Sequence, residues 1–353
     1  MGDTCSACQP QYTYAQTCGN QATCSRTCGN QPTCGSGETS CQTPSSVQPV
    51  AGGVPAGEIA RYKASGRSAA QLKWKADGSL AFFASEGEGL RSLAADSGQI
   101  NVVTGNRDDW APVPGPAARA DAFAYLRGGQ MRMWDGGGDK THNAGLGWKF
   151  SACAWSPGGD SIVFAASGLL GNRLGVYDVT SGDDDLFDWE RGADISHLIW
   201  PAESDHFFVV ADLNVSGRAF SSIMAGAPGE KKLIEVATVP GTVEALVAAP
   251  DGGIVYFLTN KIIYAFNRQT GAQTIVTDRA GDALVISPDG RWLLTNPAGI
   301  AVVAASGGRL KQIVSAAGVE ELAWSSRGQI AALVTFGGQM DIWTFRVDDS
   351  ILN

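Results

Sequence analysis

The chain has 353 residues, 44% of them hydrophobic and only 17% charged, with a net charge of −9. That length supplies one large or two ordinary domains with a substantial core. With 35 acidic against 26 basic side chains and no block of lysine or arginine, there is no electrostatic footprint for nucleic acid or an anionic membrane. No apolar run is long enough to span a bilayer, and the first residues lack the basic start and apolar run of a secretory signal, so synthesis in the cytoplasm is expected.

The first segment in chain order is defined by its cysteines. Cys5, Cys8, Cys18, Cys24, Cys28, Cys34 and Cys41 all precede residue 42, and only Cys153 lies elsewhere. Residues 1–57 contain no Leu, Ile, Phe or Trp and one basic side chain, Arg26. Such a segment cannot build a hydrophobic core and needs another tie to hold it. It is also repetitive: TCGNQATCSR at 17–26 is followed by TCGNQPTCGS at 27–36, which sets Cys8, Cys18 and Cys28 in one column and Cys24 and Cys34 in a second. Even spacings put these thiols on one side of an extended chain.

Disulfides are the first use for such a stripe, within the segment or to a neighbouring copy; seven is odd and leaves one thiol free or paired between chains. Zinc or iron–sulfur ligation at the same cysteines is the alternative, although only Cys5 and Cys8 have close ligand spacing. No His follows that CxxC, so covalent haem is not expected, and no cofactor is predicted. Met1-Gly2-Asp3-Thr4-Cys5-Ser6 also fits a loose N-myristoylation pattern at Gly2, with Cys5 available for a second acyl chain. Residues 1–43 thus form a Cys-rich tail, 44–57 (PSSVQPVAGGVPAG) a Pro/Gly/Ser linker and 58–353 the folded body.

From residue 58 short Val/Ile/Leu/Ala/Phe runs alternate with Gly, Asp, Asn and Pro turns, without sustained helical periodicity, which predicts an all-β fold. A strand–turn–strand unit recurs: LKWKADGSLAFFA at 72–84, CAWSPGGDSIVFAA at 153–166, LVAAPDGGIVYFL at 246–258, LVISPDGRWLLT at 284–295 and LAWSSRGQIAALV at 322–334. Anchored on Trp74, Trp110, Trp155, Trp200, Ala248, Ile286 and Trp324, the units repeat about every 42 residues, the length of one four-stranded propeller blade. GGQMRMW at 128–134 and GGQMDIW at 337–343 fall where a third blade strand would follow its hairpin. The sequence predicts a seven-bladed β-propeller, with six blades as the alternative because the Trp110 unit matches poorly. The segment Glu58–Ala64 is expected to supply the outer strand of the last blade, closing the ring and launching the tail from its rim.

The copies at Trp155-Ser156-Pro157-Gly158-Gly159 and Ser287-Pro288-Asp289-Gly290 resemble the repeats of WD40-like and TolB-like β-propellers. That resemblance covers nearly all of residues 65–350 and implies the architecture, not an activity. The repeating Gly-His and Trp-Asp pairs of the WD40 family are absent; Trp134-Asp135 stands alone.

The body offers little catalytic chemistry. His142, His197 and His206 lack ligand spacing, with His197 and His206 read as ordinary strand and turn residues, and no G-x-S-x-G elbow, sialidase box or phosphate-binding glycine motif appears. The densest charge, Asp183, Asp184, Asp185, Asp188 and Glu190, is a candidate cation-binding loop on oxygen ligands, with a solvated loop as the plainer reading.

These features predict a non-catalytic assembly protein, in which the propeller is a rigid interaction disc and the tail locks it to protein partners or to other copies. The alternatives are a propeller subunit of a redox enzyme with metal on the tail thiols, and a lipid-anchored scaffold that meets a membrane only through N-terminal acylation. An oxidising environment for the thiols is reconciled with cytoplasmic synthesis by release or export within an assembly.

Overall fold

A computed structural model describes residues 48–49, 59–63, 69–135, 138–143, 145–189, 193–336, 339–347 and 352. The chain divides into Met1–Gln48 and Pro49–Asn353, and the architecture below is that of the second unit.

Seven antiparallel sheets are formed in sequence, each from a first strand, a second strand, a hairpin, a third strand and a fourth strand. Blade 1 is Ala69–Trp74, Leu80–Ser85, Gly89–Ala94 and Ile100–Val102; blade 2 is Asp109–Pro114, Phe123–Arg127, Gln130–Trp134 and Asp139–His142. Blade 3 is Trp148–Trp155, Ser161–Gly168, Gly171–Asp178 and Asp184–Leu186; blade 4 is Asp194–Ile199, Phe207–Val215, Arg218–Gly226 and Ile234–Pro240. Blade 5 is Ala245–Ala248, Ile254–Thr259, Ile262–Asn267 and Gln273–Thr277; blade 6 is Leu284–Ile286, Trp292–Thr295, Gly299–Ala304 and Lys311–Ser315. Blade 7 is Val319–Trp324, Gln329–Phe336, Gln339–Arg346 and, from the start of the body, Ala60–Lys63. Each first strand touches the first strand of the next blade, and that of blade 7 touches that of blade 1, so the seven form a closed inner ring.

The core lies between blades. Met131, Met133, Phe150, Trp155 and Phe164 pack blade 2 on blade 3; Phe208, Val210, Leu246 and Phe257 pack blade 4 on blade 5; Leu72, Phe83, Leu333 and Ile342 pack blade 7 on blade 1. Second strands have a neighbouring blade on each face, which is why Ser161–Gly168 is buried at six successive positions while the fourth strand Asp184–Leu186 is largely exposed. A continuous apolar run in this fold marks a strand covered on both faces.

The recurring turn has a local cause and a packing cause. Ser156, Ser287 and Ser325 are buried, and their hydroxyls accept the amides of Ser161, Trp292 and Gln329. The turn glycines adopt positive φ and sit where a Cβ would strike the preceding blade: Gly159 against Arg119, Gly252 against Ser204, Gly290 against Pro250. Glycine is needed there for conformation and for clearance together.

The closing strand is where sequence reading placed it. Ala60 pairs with Thr344, Arg61 with Trp343, Tyr62 with Ile342 and Lys63 with Asp341. The expectation for Trp110 is corrected. It is the second residue of its strand, opposite Leu126, while Pro114, opposite Phe123, holds the place next to the turn. A 3₁₀ turn at Ala117–Arg119 lengthens that connection, so the unit loses its Pro-Asp-Gly signature and its apparent register. Seven sheets remove the six-blade alternative.

At the junction of blades 7 and 1 the Glu321 carboxylate accepts the amides of Gln71 and Leu72 at 2.9 and 2.8 Å. Gln71 has φ 63, a left-handed conformation that costs a non-glycine residue energy unless its surroundings hold it. Its side-chain oxygen in turn accepts the amide of Ala111, itself at φ 51, in blade 2. One carboxylate therefore anchors a chain of contacts across three blades. Glu321→Ala should lower unfolding free energy in urea by about 2–4 kcal/mol, two charge-assisted hydrogen bonds with their buried donors. Glu320→Ala, one residue away and exposed, should cost less than about 1 kcal/mol.

Candidate functional site

The first strands of blades 1, 4, 5, 6 and 7 end around one opening. Trp74, Trp200 and Trp324 line a cavity of about 350 Å³ with Ile199, Val247, Ala248 and Ile286, rimmed by Pro201, Pro250 and Pro288. The indoles are fixed by their nitrogens. Trp74 Nε1 donates to Ala323 O in blade 7 at 3.2 Å and Trp200 Nε1 to Ser204 O in its own turn at 3.0 Å. Trp155, in the same column, is instead buried and donates to Val113 O of blade 2 at 3.1 Å. The polar side chains lining the cavity itself are Lys75, held by Asp77 and Asp121, and the hydroxyl-bearing Ser287 and Ser326, with charged residues in the turns outside them. An apolar, aromatic opening with a thin polar rim suits docking of a side chain or short segment more than bond-making chemistry.

The charged groups elsewhere are engaged in structure. In blade 2, Arg127 grips Asp109 through two nitrogens, at 2.5 and 2.7 Å, with Asp109 only 3% exposed. Arg127 also reaches the Tyr125 hydroxyl, which donates to Asp139 Oδ2, and Arg132 Nη1 donates to that same oxygen. The network crosses all four strands of the blade. Burial, joined by the charge of Asp139, pushes the Tyr125 phenol up to about 12, and donating to the Asp109 carboxylate holds the guanidinium of Arg127 above its usual range.

The tail candidates Cys5, Cys8, Cys18, Cys24, Cys28, Cys34, Cys41 and Gly2, and Glu190 of the acidic run, lie outside the described residues. Cys153 is buried between blades 2 and 3, and burial pushes its thiol up to about 12. Asp184–Leu186 forms the fourth strand of blade 3, which parts its carboxylates to separate partners. Asp184 lies 2.9 Å from His142 Nε2, without the alignment of a hydrogen bond, and Asp185 pairs with Lys231. Asp183 and Asp188 are exposed. Among the described residues no three His, Cys, Asp or Glu side chains stand together as a metal site.

No protein-family model and no curated protein matches this sequence. Among solved structures it is similar to the β-propeller domain of Cps50 (Swd1) from Myceliophteria thermophila. The TM-score is 0.61 at 11% identity, over 81% of this chain and 99% of that chain. The chain is a seven-bladed β-propeller. At that identity the likeness carries the fold alone, and the propeller's use has to be argued from its own surfaces.

The Trp column was legible as an architectural repeat; that three of its rings meet at one opening was not, because convergence is a property of the closed ring. The signal was available in the shared place of Trp74, Trp200 and Trp324 before equivalent turns. His197, on the first strand of blade 4, is half-buried, with Nδ1 3.0 Å from Ser196 Oγ and Nε2 3.1 Å from Glu244 O of blade 5. Burial lowers its pKa, against the opposing pull of that carbonyl. The folded state therefore favours neutral imidazole, and stability should fall as pH drops from about 7 through the unfolded-state value near 6.5. The carboxylates of Asp77 and Asp289, which burial would raise, are held low by Ser79 and by Ser287 and Arg291. Their contribution should disappear only below about pH 4. His197→Gln should flatten urea midpoints between about pH 7.5 and 5.5; an unchanged slope there would remove His197 as the cause.

Proposed function

We propose that the chain is a non-catalytic interaction and assembly protein. Its propeller is the rigid disc, the tryptophan-lined mouth is the docking surface, and the cysteine-patterned tail locks docked partners or further copies through disulfides. The observation that carries this reading is the mouth itself, three indoles around an open apolar cavity, of which Trp74 and Trp200 are held by hydrogen bonds from their ring nitrogens. Rigid aromatic groups set in place before binding lose little entropy on contact, which favours them as anchors of an interface. Further support is that the charged network around Asp109 and Arg127 is engaged in linking the strands of one blade. The ten-residue cysteine repeat supports the locking role, because a segment without a core gains order from covalent ties.

Intact mass of the full chain, with and without reduction and alkylation, beside non-reducing electrophoresis, tests the locking role. The expected result is disulfide-linked species that collapse to monomer on reduction, with Cys153 unlabelled until the body is unfolded. Seven freely alkylated tail thiols in a chain that is monomeric before reduction would contradict it.

A further inference from the structure

The opposite face carries a second apolar feature, at the tip of the blade 3 hairpin. In blade 3 the second and third strands, Ser161–Gly168 and Gly171–Asp178, have 8 residues each, as have Gln329–Phe336 and Gln339–Arg346 of blade 7, against 9 in Phe207–Val215 and Arg218–Gly226 of blade 4 and 6 in Leu80–Ser85 and Gly89–Ala94 of blade 1 and Ile254–Thr259 and Ile262–Asn267 of blade 5. The hairpins of blades 1, 3 and 5 start from equivalent places beside the recurring turn. Relative to blades 1 and 5 the additional pairs lie at the far end and extend that hairpin by roughly 6–7 Å; the blade 4 and blade 7 hairpins are at least as long.

At its tip stand Leu169 and Leu170, 101% and 76% exposed, and the adjoining loop adds Leu146 at 102%. The loop and hairpin are held together, since a Cβ on Gly168 would lie 2.6 Å from Gly147 O and 3.1 Å from the Trp148 ring. Three leucines this exposed together, at a hairpin tip and the loop beside it, form an apolar feature of the kind that marks an interaction surface. Two cations stand at the base of this knob: Lys149, exposed, and Arg173, whose guanidinium lies 3.8 Å over the Trp148 ring.

The mouth has the complementary character. It is a concave apolar opening of about 350 Å³, and the sector of its rim contributed by the turns of blades 4 and 5 bears Glu203, Asp205 and Asp251, all exposed. The described cations near that face include Lys75, Arg119, Arg268, Arg291 and Arg327, and Asp205 is itself paired with His206, which leaves Glu203 and Asp251 as the other acids of the sector. Lys75 and Arg291 are paired with Asp77 and Asp289, and Arg268 lies over the Phe208 ring. Arg327 packs along Gly78.

We propose that the Leu146, Leu169 and Leu170 knob of one copy docks into the tryptophan-lined mouth of a second copy, with Lys149 and Arg173 facing the acidic sector of its rim. This rests on the reading of the mouth as a docking surface and names its occupant. Knob and mouth are different patches, so the contact is heterologous: each copy keeps a free knob or a free mouth, and association continues into a chain or closes as a ring.

The test uses the full chain in reductant, which removes any contribution from tail disulfides and so separates this contact from the locking role. Sedimentation velocity from about 1 to about 100 µM should show wild type growing beyond dimer with concentration. Leu169→Asp with Leu170→Asp, and separately Ala202→Arg with Pro288→Arg at exposed mouth positions, should each weaken association at least tenfold while melting within a few degrees of wild type. Mixing the two variants should restore a one-to-one heterodimer that grows no further, because one retains the mouth and the other the knob. A wild type that stays monomeric, a knob variant that associates as wild type does, or a mixture that stays monomeric would each overturn the proposal. So would knob-dependent binding to phosphatidylcholine vesicles without self-association, which would assign the knob to a lipid surface.

Discussion

Everything in this structure depends on closing the ring between blade 7 and blade 1. Each blade buries its two faces against its neighbours, so an open ring would leave two apolar faces in water. The gap is closed without a covalent bond, by a strand from the start of the body completing the sheet made at its end. Tyr62 of that strand packs where Gly98 leaves room in blade 1, and the Arg61 guanidinium lies 5.0 Å over the Trp343 ring. Lys63 faces Asp341 across the pair, and burial raises the Asp341 carboxyl against the pull of both cations. On the axis the same junction is held by Glu321 on Gln71 and Leu72 and by Trp74 on Ala323. The mouth inherits its shape from this closure, because Trp74 and Trp324 come from the two blades that meet there.

The fold was legible because its signal is local and repeated. A serine that accepts the next strand's amide, an aspartate or proline to start the turn and a glycine at positive φ occupy a handful of consecutive residues, and the same geometric demand returns in several blades. Where the demand is relaxed the signal fades. Ala248 and Ile286 replace tryptophan without changing register, since any apolar side chain fills that wedge, whereas the 3₁₀ turn after Pro114 hid the true start of the second unit and left Trp110 as a false anchor.

The surfaces were less legible, for a different reason. Gly168-Leu169-Leu170-Gly171 reads in sequence as more apolar strand between two breakers; only the extended hairpin puts those leucines in water. The acidic run reads as a loop, yet three of its residues form an edge strand whose neighbouring carboxylates turn to His142 and to Lys231. Both outcomes depend on which blade lies alongside, and that information is spread around the ring. The cysteine repeat is the reverse case, plain in the sequence and outside the described residues.

A rigid ring with an apolar mouth on one face and a leucine knob on the other is built to be covered, and both features require the closing strand to be as firmly held as the rest of its blade. Hydrogen exchange read by mass spectrometry on peptides spanning Ala60–Lys63 and Gln339–Arg346 tests this most directly. If the ring is closed as described, the two peptides exchange together at the slow rate set by global unfolding. Exchange of Ala60–Lys63 within seconds, while Gln339–Arg346 stays protected, would contradict the account.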